Sequence, residues 1–296
     1  MIVYDAIDYK PEELKEIQTK SLEMAKFFVQ FCEQHNLLCY FCGGGCIGTI
    51  RHQGFIPWDD DLDFFMPRED YEKLQELWTA CANTSRYQLY RPDKNYCDHN
   101  SMITIKDEET TYIKPYQSQL DISHGLPLDI FPLDGYPNSW FKRKLQIMYA
   151  MIYSLFVTQE IPTKHGKFME SVCKVILKSF PNEQTRYRIW KLCEQQMSKY
   201  SMSNCEYTTE LCAGPYYMKK KYPTSCFEDK VYKEFEGVMM PIPIGYDDYL
   251  KIAFGEYMKL PSKDKQKAHH ACVFMDLSSN YKKYKGIYYC TENKEK

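Results

Sequence analysis

The chain has 296 residues, enough for about two domains or for one core with a large addition. Hydrophobic residues make up 44% and charged residues 26%, which is typical of a globular protein and excludes extensive disorder. With 38 basic and 40 acidic side chains the net charge is −2, so no positive field attracts nucleic acid, and an anionic ligand must be bound by a local site.

Helices and strands alternate in the predicted order of elements. Residues 10–36 repeat apolar side chains at helical spacing behind Pro11, which predicts an amphipathic helix. The run LLCYFC predicts a short buried strand that ends at the glycines 43–45, and a short helix is predicted within 46–54. Another helix is predicted over 67–82, and further strands are predicted at 61–66, 101–106, 110–116 and 125–137.

This order predicts a mixed α/β (α+β) fold, in which a core sheet has flanking helices and a helical addition. We expect a catalytic core with an N-terminal helix over 1–138, a helical addition over 139–204, and a C-terminal segment packed on the core over 205–296. The longest apolar run, LQIMYAMIYSLFV at 145–157, is too short to span a bilayer and predicts a buried helix. Because FKRK precedes it, a helix lying at a membrane surface stays open as the alternative.

The thirteen cysteines are expected to be reduced thiols. The chain begins with MIVYDAIDYKPEELKE, which has neither the basic nor the apolar region of a secretory signal, and this predicts a cytoplasmic location. Cys39, Cys42 and Cys46 lie in an apolar run without a second ligand pair, so buried thiols are a better interpretation than zinc ligands. The better metal candidate of the two cysteine groups is Cys205, Cys212 and Cys226.

Four aspartates lie within five consecutive positions. In an extended strand Asp61 and Asp63 point to one face, while Leu62 and Phe64 point to the other. Neighbouring carboxylates repel each other unless a cation lies between them, and Mg²⁺ prefers such oxygen ligands. A solvated acidic loop is the commoner fate of an aspartate pair, but the apolar residues that follow favour a metal site. An EF-hand calcium loop is excluded because Phe64 replaces its glycine and a proline interrupts it.

The glycines 43–45 precede the acidic strand by about fifteen residues. Their uncovered N–H groups at the start of a helix are suited to binding phosphate. Asp129, flanked by apolar residues in LPLDIF, is a third acid on a neighbouring predicted strand. A glycine turn, an acid-x-acid strand and a third acid together resemble the nucleotidyltransferase fold of the polymerase-beta superfamily.

Three longer segments narrow this resemblance. In chain order they are GTIRHQGFIPWDDDLDFFMPREDY, GLPLDIFPLDGYP and FEGVMMPIPIGYDDYLKIAFGEYMKLP, the last with a nearby HH pair. They are similar to the LicD family, which includes phosphocholine transferases and is related to fukutin-type transferases. One departure is Gly45, where the family more often has threonine or serine. A hydroxyl contact to phosphate would be lost there, whereas the backbone contact would remain.

The resemblance implies transfer of phosphocholine, or of a related polyol phosphate, from a CDP-linked donor such as CDP-choline. The acceptor would be a hydroxyl of a cell-surface glycan or glycolipid, such as a lipopolysaccharide or teichoic acid, and CMP would be released. The cofactor would be Mg²⁺, with Mn²⁺ as the alternative. The metal ligands are assigned as Asp61, Asp63 and Asp129, the last also serving as a candidate base.

The remaining assignments follow from the chemistry of the donor. Guanidinium groups bind phosphate in bidentate fashion, and aromatic faces hold quaternary ammonium groups such as choline. The assigned donor contacts are Gly43, Gly44, Gly45, Arg51, Arg68 and Trp58. The histidines that could position an acceptor are His52, His124, His269 and His270. Two alternatives stay open: nucleotidyl transfer from an NTP to a small molecule, and a degenerate domain that only binds a partner.

Overall fold

The computed structural model of the protein describes residues 9–161, 167–268 and 270–291. The fold is mixed α/β, as the sequence predicts. The helices are α1 Pro11–Gln34, α2 Gly43–His52, α3 Arg68–Cys81, α4 Trp140–Thr158, α5 Lys167–Ser179, α6 Glu183–Met197 and α7 Tyr246–Phe254. The strands are β1 Tyr40–Phe41, β2 Asp63–Pro67, β3 Tyr87–Tyr90, β4 Ile103–Asp107, β5 Thr111–Ile113, β6 Leu126–Tyr136, β7 Tyr207–Glu210, β8 Tyr222–Pro223, β9 Lys230–Phe235, β10 Val238–Pro243 and β11 Phe274–Asp276.

The main sheet is built around the long strand β6. Its strand order is β1-β2-β6-β4-β3, and β7 pairs with the end of β6 and with β8. Strands β2 and β6 are parallel, whereas β4 and β7 run antiparallel to β6. Two small antiparallel pairs, β9 with β10 and β5 with β11, complete the strands. The sequence missed β3 and the strands after β6, because these are short and lie among turns.

The first acidic strand is anchored in a hydrophobic core between the sheet, α1 and α3. Leu62 and Phe64 are fully buried there, and the rings of Phe28 and Phe64 pack at 4.9 Å between centroids. Trp78 of α3 packs against the same α1 surface. Because β2 is fixed by apolar side chains on one face, the polar side chains beside it are held in place on the other.

Helices α4 and α6 pack against each other around a second apolar cluster, in which Tyr153 and Trp190 lie 6.0 Å apart. The described parts of the region predicted to be helical, 139–161 and 167–204, are mostly helical, and the division into segments at 138 and 204 stays a prediction. Within the described residues, none of the helices has the length and apolar character needed to cross a bilayer. All thirteen cysteines are free thiols.

Candidate active site

The structure brings the three predicted metal ligands together. Asp61, Asp63 and Asp129 line one cavity of about 20 Å³, which has room for about one water-sized group. The other residues around this cavity are Asp60, Tyr112, Lys114, Leu126, Pro127 and His270. A wider cleft of about 930 Å³ opens elsewhere, beside Pro67 at the far end of β2, and none of the three acids lines it.

The parallel pairing of β2 and β6 explains how the acids meet. Asp63 lies directly opposite Asp129 in the register, and neighbouring strands are about 4.8 Å apart. The hydroxyl of Thr104 on β4 donates a hydrogen bond of 2.7 Å to Oδ1 of Asp129, and Nζ of Lys114 lies 3.6 Å from its Oδ2. One carboxylate oxygen is therefore fixed by the sheet, and the other faces the only lysine that lines this described cavity.

The charges of the cavity are not balanced. Burial raises the pKa of Asp61, and burial together with the charges of Asp61 and Asp129 raises the pKa of Asp63 well above its usual range. Both shifts mean that the surrounding protein groups stabilise the charged form of these carboxylates less well than water does. A hard divalent cation would supply the missing positive charge. The oxygen-rich donor set and the small volume therefore fit Mg²⁺ or Mn²⁺.

His270 closes one side of the cavity. Its Nδ1 lies 3.0 Å from Oδ1 of Asp60, and its backbone N–H donates to Oδ2 of the same carboxylate at 3.3 Å. Its Nε2 lies 3.6 Å from Oδ2 of Asp61. Although burial opposes it, the charges of Asp61 and Asp60 raise the pKa of His270 to about 9. In the described chain, the group of possible metal ligands lying within 4.8 Å of one another is Asp60, Asp61 and His270.

The other histidines contribute less to this site. Nε2 of His124 lies 3.1 Å from the carbonyl of Leu120, its ring packs on Tyr289, and burial lowers its pKa to about 4, which is a structural environment. His52 accepts a hydrogen bond from Nε of Arg51. His269 lies outside the described residues.

The glycines lie at the start of a helix, as the sequence predicts. They form the first turn of α2, which begins at Gly43 rather than within 46–54, and Gly43 has a φ of +50°, which glycine adopts at little cost. The N–H of Gly43 donates to the hydroxyl of Tyr249 at 3.0 Å. A Cβ on Gly44 would lie 2.0 Å from Oδ2 of Asp59, and a Cβ on Gly45 would meet buried Phe41. The glycines therefore make room for protein atoms, and phosphate binding here stays a prediction.

Arg68 is held in an ion pair away from the acidic cavity, and its role as a donor contact stays a prediction. Its Nε and Nη2 donate to the two carboxylate oxygens of Asp134 at 2.8 and 2.7 Å, and both side chains are buried. Arg68 follows the last residue of β2, whereas Asp63 begins that strand. The sequence places them five residues apart, which in a strand is about 16 Å.

Arg51 and Trp58 lie near the acids in sequence but do not line the cavity. Nη1 of Arg51 donates to the carbonyl of Tyr257 at 2.7 Å, which ties α2 to the C-terminal segment. Trp58 is half-buried and packs against the main hydrophobic core. Their roles as donor contacts stay predictions, since the structure shows packing roles for both.

Comparison with known proteins indicates the family. Residues 36–169 match the model described as the LicD/FKTN/FKRP nucleotidyltransferase domain, and this range contains Asp61, Asp63 and Asp129. This match supports membership of the LicD family. It is 28% identical over 272 residues to the lipopolysaccharide cholinephosphotransferase LicD of Haemophilus influenzae, which covers 87% of this chain and 96% of that protein. It is also 25% identical over 206 residues to an uncharacterized protein of Rickettsia prowazekii, 67% of each chain.

The site contains residues that the sequence analysis missed. Lys114 and Tyr112 come from the predicted strand 110–116, where alternate side chains share a face, so a lysine among apolar neighbours was an available signal. Asp60 belonged to the aspartate cluster but received no role. Thr104 gave no signal, because only the pairing of β4 with β6 brings it to Asp129.

Proposed function

We propose that this protein is a diphosphonucleoside-choline phosphotransferase. It transfers phosphocholine from CDP-choline, or a related polyol phosphate from another CDP-linked donor, to a hydroxyl of a cell-surface glycan, and it releases CMP. One observation carries this proposal: Asp61, Asp63 and Asp129 surround a cavity of ion size in a chain that matches a lipopolysaccharide cholinephosphotransferase over 87% of its length.

The reaction exchanges one phosphorus–oxygen bond for another. The acceptor oxygen bonds to the phosphorus that carries choline, the bond from that phosphorus to the CMP oxygen breaks, and the hydroxyl proton leaves to a base. A cation bound by the three acids would neutralise phosphate charge and align the two oxygens. The protein supplies its own cation as well, because Lys114 lies 3.6 Å from Asp129 and lines the cavity. Asp129 remains the candidate base.

The size of the cavity limits where the donor binds. A volume of about 20 Å³ holds an ion or a water molecule but not a diphosphate. The phosphates therefore bind at the mouth of the cavity, where Lys114 can contact them. Lys114 has only 12% of its side chain exposed, and although burial alone would lower its pKa, Asp129 and other nearby groups raise it, so it is fully charged at neutral pH.

Tyr116, two residues after Lys114 in the chain, is a candidate for binding the choline group. The hydroxyl of Tyr116 bonds to Oδ1 of Asn100 at 2.9 Å, while 38% of the residue is exposed. Burial raises the pKa of Tyr116 to about 12, and the charges of Lys114 and Asp129 act on it in opposite directions. A trimethylammonium group has no hydrogen to donate and is held by aromatic faces. We therefore place the choline head on Tyr116 rather than on Trp58.

We further propose that the protein binds peripherally to the cytoplasmic surface of a membrane, where a glycolipid acceptor would be found. Helix α4 carries exposed apolar side chains along its outer surface: Trp140 at 73% exposure, Phe141 at 64% and Met151 at 45%. The helix contains no acidic residue, and Lys142 and Lys144 are exposed beside the aromatic residues. Apolar and basic side chains together fit an anionic bilayer, since each lysine there contributes about 1 kcal/mol.

Vesicle binding tests this surface. The full chain should bind phosphatidylcholine vesicles that contain phosphatidylglycerol better than vesicles without it. The double variant Trp140→Gln and Phe141→Gln should bind about tenfold more weakly or worse. Met239→Gln, which replaces an apolar residue of similar exposure on β10, is the control. Equal binding by all three proteins, or self-association of the chain through α4 instead, would contradict the proposal.

A donor panel tests the reaction. The protein is incubated with Mg²⁺, an acceptor glycan and each of CDP-choline, CDP-ribitol, CDP-glycerol and CTP, and both CMP and pyrophosphate are followed. Release of CMP from CDP-choline, abolished by chelating the metal, is the expected result. Pyrophosphate released from CTP would indicate nucleotidyl transfer instead. Absence of both products and of metal binding would indicate a domain that only binds a partner.

A further inference from the structure

We infer that Nε2 of His270 is a nitrogen ligand of the cation that Asp61 binds, and that Asp60 is the residue that positions this imidazole. The inference rests on the cation site of the proposed function, but not on the identity of the donor or acceptor. It assigns separate roles to neighbouring aspartates: Asp61 binds the ion, whereas Asp60 holds the histidine.

The contacts of Asp60 fix the orientation of the ring. Its carboxylate is completely buried and contacts His270 twice, accepting the backbone N–H on Oδ2 and facing Nδ1 with Oδ1. A carboxylate at Nδ1 places the ring proton there, because the contact between the two atoms is a hydrogen bond only if Nδ1 is the donor. Nε2 is then the nitrogen left to act as a ligand, and it lies 3.6 Å from Oδ2 of Asp61.

The distance between Nε2 and Asp61 suits two ligands of one ion. Ligand atoms about 2.1 Å from an octahedral ion and at right angles lie about 3.0 Å apart. The observed separation from Nε2 to Oδ2 is 3.6 Å, so a shift of less than about 1 Å would complete the geometry. A metal-bound histidine whose other nitrogen donates to a carboxylate is a common arrangement, and that carboxylate fixes the ring for the metal.

The segment that carries His270 is itself held against the site. Strand β11 pairs with β5, and the N–H of Val273 donates to the carbonyl of Ile113 at 2.8 Å. Ile113 lies between Tyr112 and Lys114, which both line the cavity. A cation bound to Asp61 and His270 would therefore join the C-terminal segment to the acidic strand.

The chemistry of the ligand predicts which metal is favoured. Mg²⁺ is bound almost entirely by oxygen, whereas imidazole nitrogen is accepted more readily by transition-metal ions. A site with one nitrogen ligand should therefore bind Mn²⁺ more tightly than Mg²⁺. Removing the nitrogen should weaken Mn²⁺ binding more than Mg²⁺ binding.

Pulsed EPR of bound Mn²⁺ tests the inference without any turnover. The full chain with ¹⁵N-labelled histidine is loaded with Mn²⁺, and we expect a hyperfine coupling from one histidine nitrogen. His270→Gln should remove the coupling and weaken Mn²⁺ binding by about 10- to 100-fold, and Asp60→Asn should weaken binding within the same range. His52→Gln, which alters a histidine outside the cavity, should leave both unchanged.

The outcomes separate this inference from the proposed reaction. Mn²⁺ that binds the wild-type chain without nitrogen coupling would overturn the role of His270, whatever the variants do. Coupling that persists in His270→Gln would also overturn it. Nitrogen coupling in a protein that transfers nothing from CDP-choline would support the ligand and contradict the proposed reaction. Failure of Mn²⁺ to bind at all would overturn both.

Discussion

Breaking the buried ion pair between Arg68 and Asp134 should destabilise the fold strongly. Arg68 donates to both oxygens of Asp134, whose side chain has no exposed surface. Arg68→Met keeps most of the volume and removes the charge, which leaves a carboxylate buried without its partner. Breaking a buried pair in this way costs about 3–5 kcal/mol. That is a large part of the roughly 5–15 kcal/mol by which a domain is stable.

Urea unfolding, followed by circular dichroism, measures this change. We expect Arg68→Met to lower the free energy of unfolding by about 3–5 kcal/mol, and the double variant with Asp134→Leu to recover much of the loss, since neither charge of this pair is then left buried without its partner. Donor affinity of the folded single variant, measured by calorimetry, should not change. Wild-type stability combined with weaker CDP-choline binding would refute this reasoning and restore Arg68 as a phosphate contact.

Three further predictions follow from other parts of the molecule. Asp63→Asn should leave a folded protein whose transfer rate is reduced by roughly 10³-fold or more, and an unfolded variant would instead indicate a structural role. Burial raises the pKa of Glu210 from 4.5 to about 7, against the opposing effects of Tyr222 and a nearby lysine. The native state therefore holds a proton that the unfolded chain has lost, and stability should fall by on the order of 3 kcal/mol as pH rises from about 4.5 to 7. Glu210→Gln should flatten that part of the pH profile, and an unchanged profile would contradict the assignment. Tyr116→Leu should weaken CDP-choline binding by about 5- to 30-fold without affecting CMP, whereas Trp58→Leu should affect neither; the reverse result would favour Trp58 as the choline contact.

The acids were predictable because two local rules act together. Alternation in extended backbone predicts Asp61 and Asp63 on one face, and the two acids do line one cavity although β2 begins only at Asp63. The third acid, Asp129, lies on a strand whose apolar sequence predicts burial. The parallel register of β2 and β6 places it opposite Asp63. The alternation and the apolar neighbours are visible within a few residues of sequence, whereas the register between β2 and β6 is known only from the structure.

Closeness in sequence does not imply closeness in space. Arg68 is only five residues from Asp63, but the strand between them carries it away from the cavity to Asp134. Lys114 directly follows β5, and His270 lies in the segment before β11; both line the cavity. The pairing of β5 with β11 brings them together, and it joins residues more than 150 positions apart. No local pattern specifies such a contact.

Gly44 shows a related limit. A glycine before an acidic strand indicates a close approach, but the sequence does not say which group approaches. The structure places the carboxylate of Asp59 against it, where a Cβ would lie 2.0 Å from Oδ2.

The most direct test of the proposed function follows both halves of the donor at once. CDP-choline labelled either in the choline methyl groups or in the cytosine ring is incubated with the protein, Mg²⁺ and lipopolysaccharide that lacks phosphocholine. We predict that the choline label moves to the glycan while the cytosine label appears as CMP, and that Asp63→Asn prevents both. Cytosine label found on the acceptor, or no label transferred from CDP-choline under conditions in which Mn²⁺ is bound at the acidic cavity, would contradict phosphocholine transfer by this site.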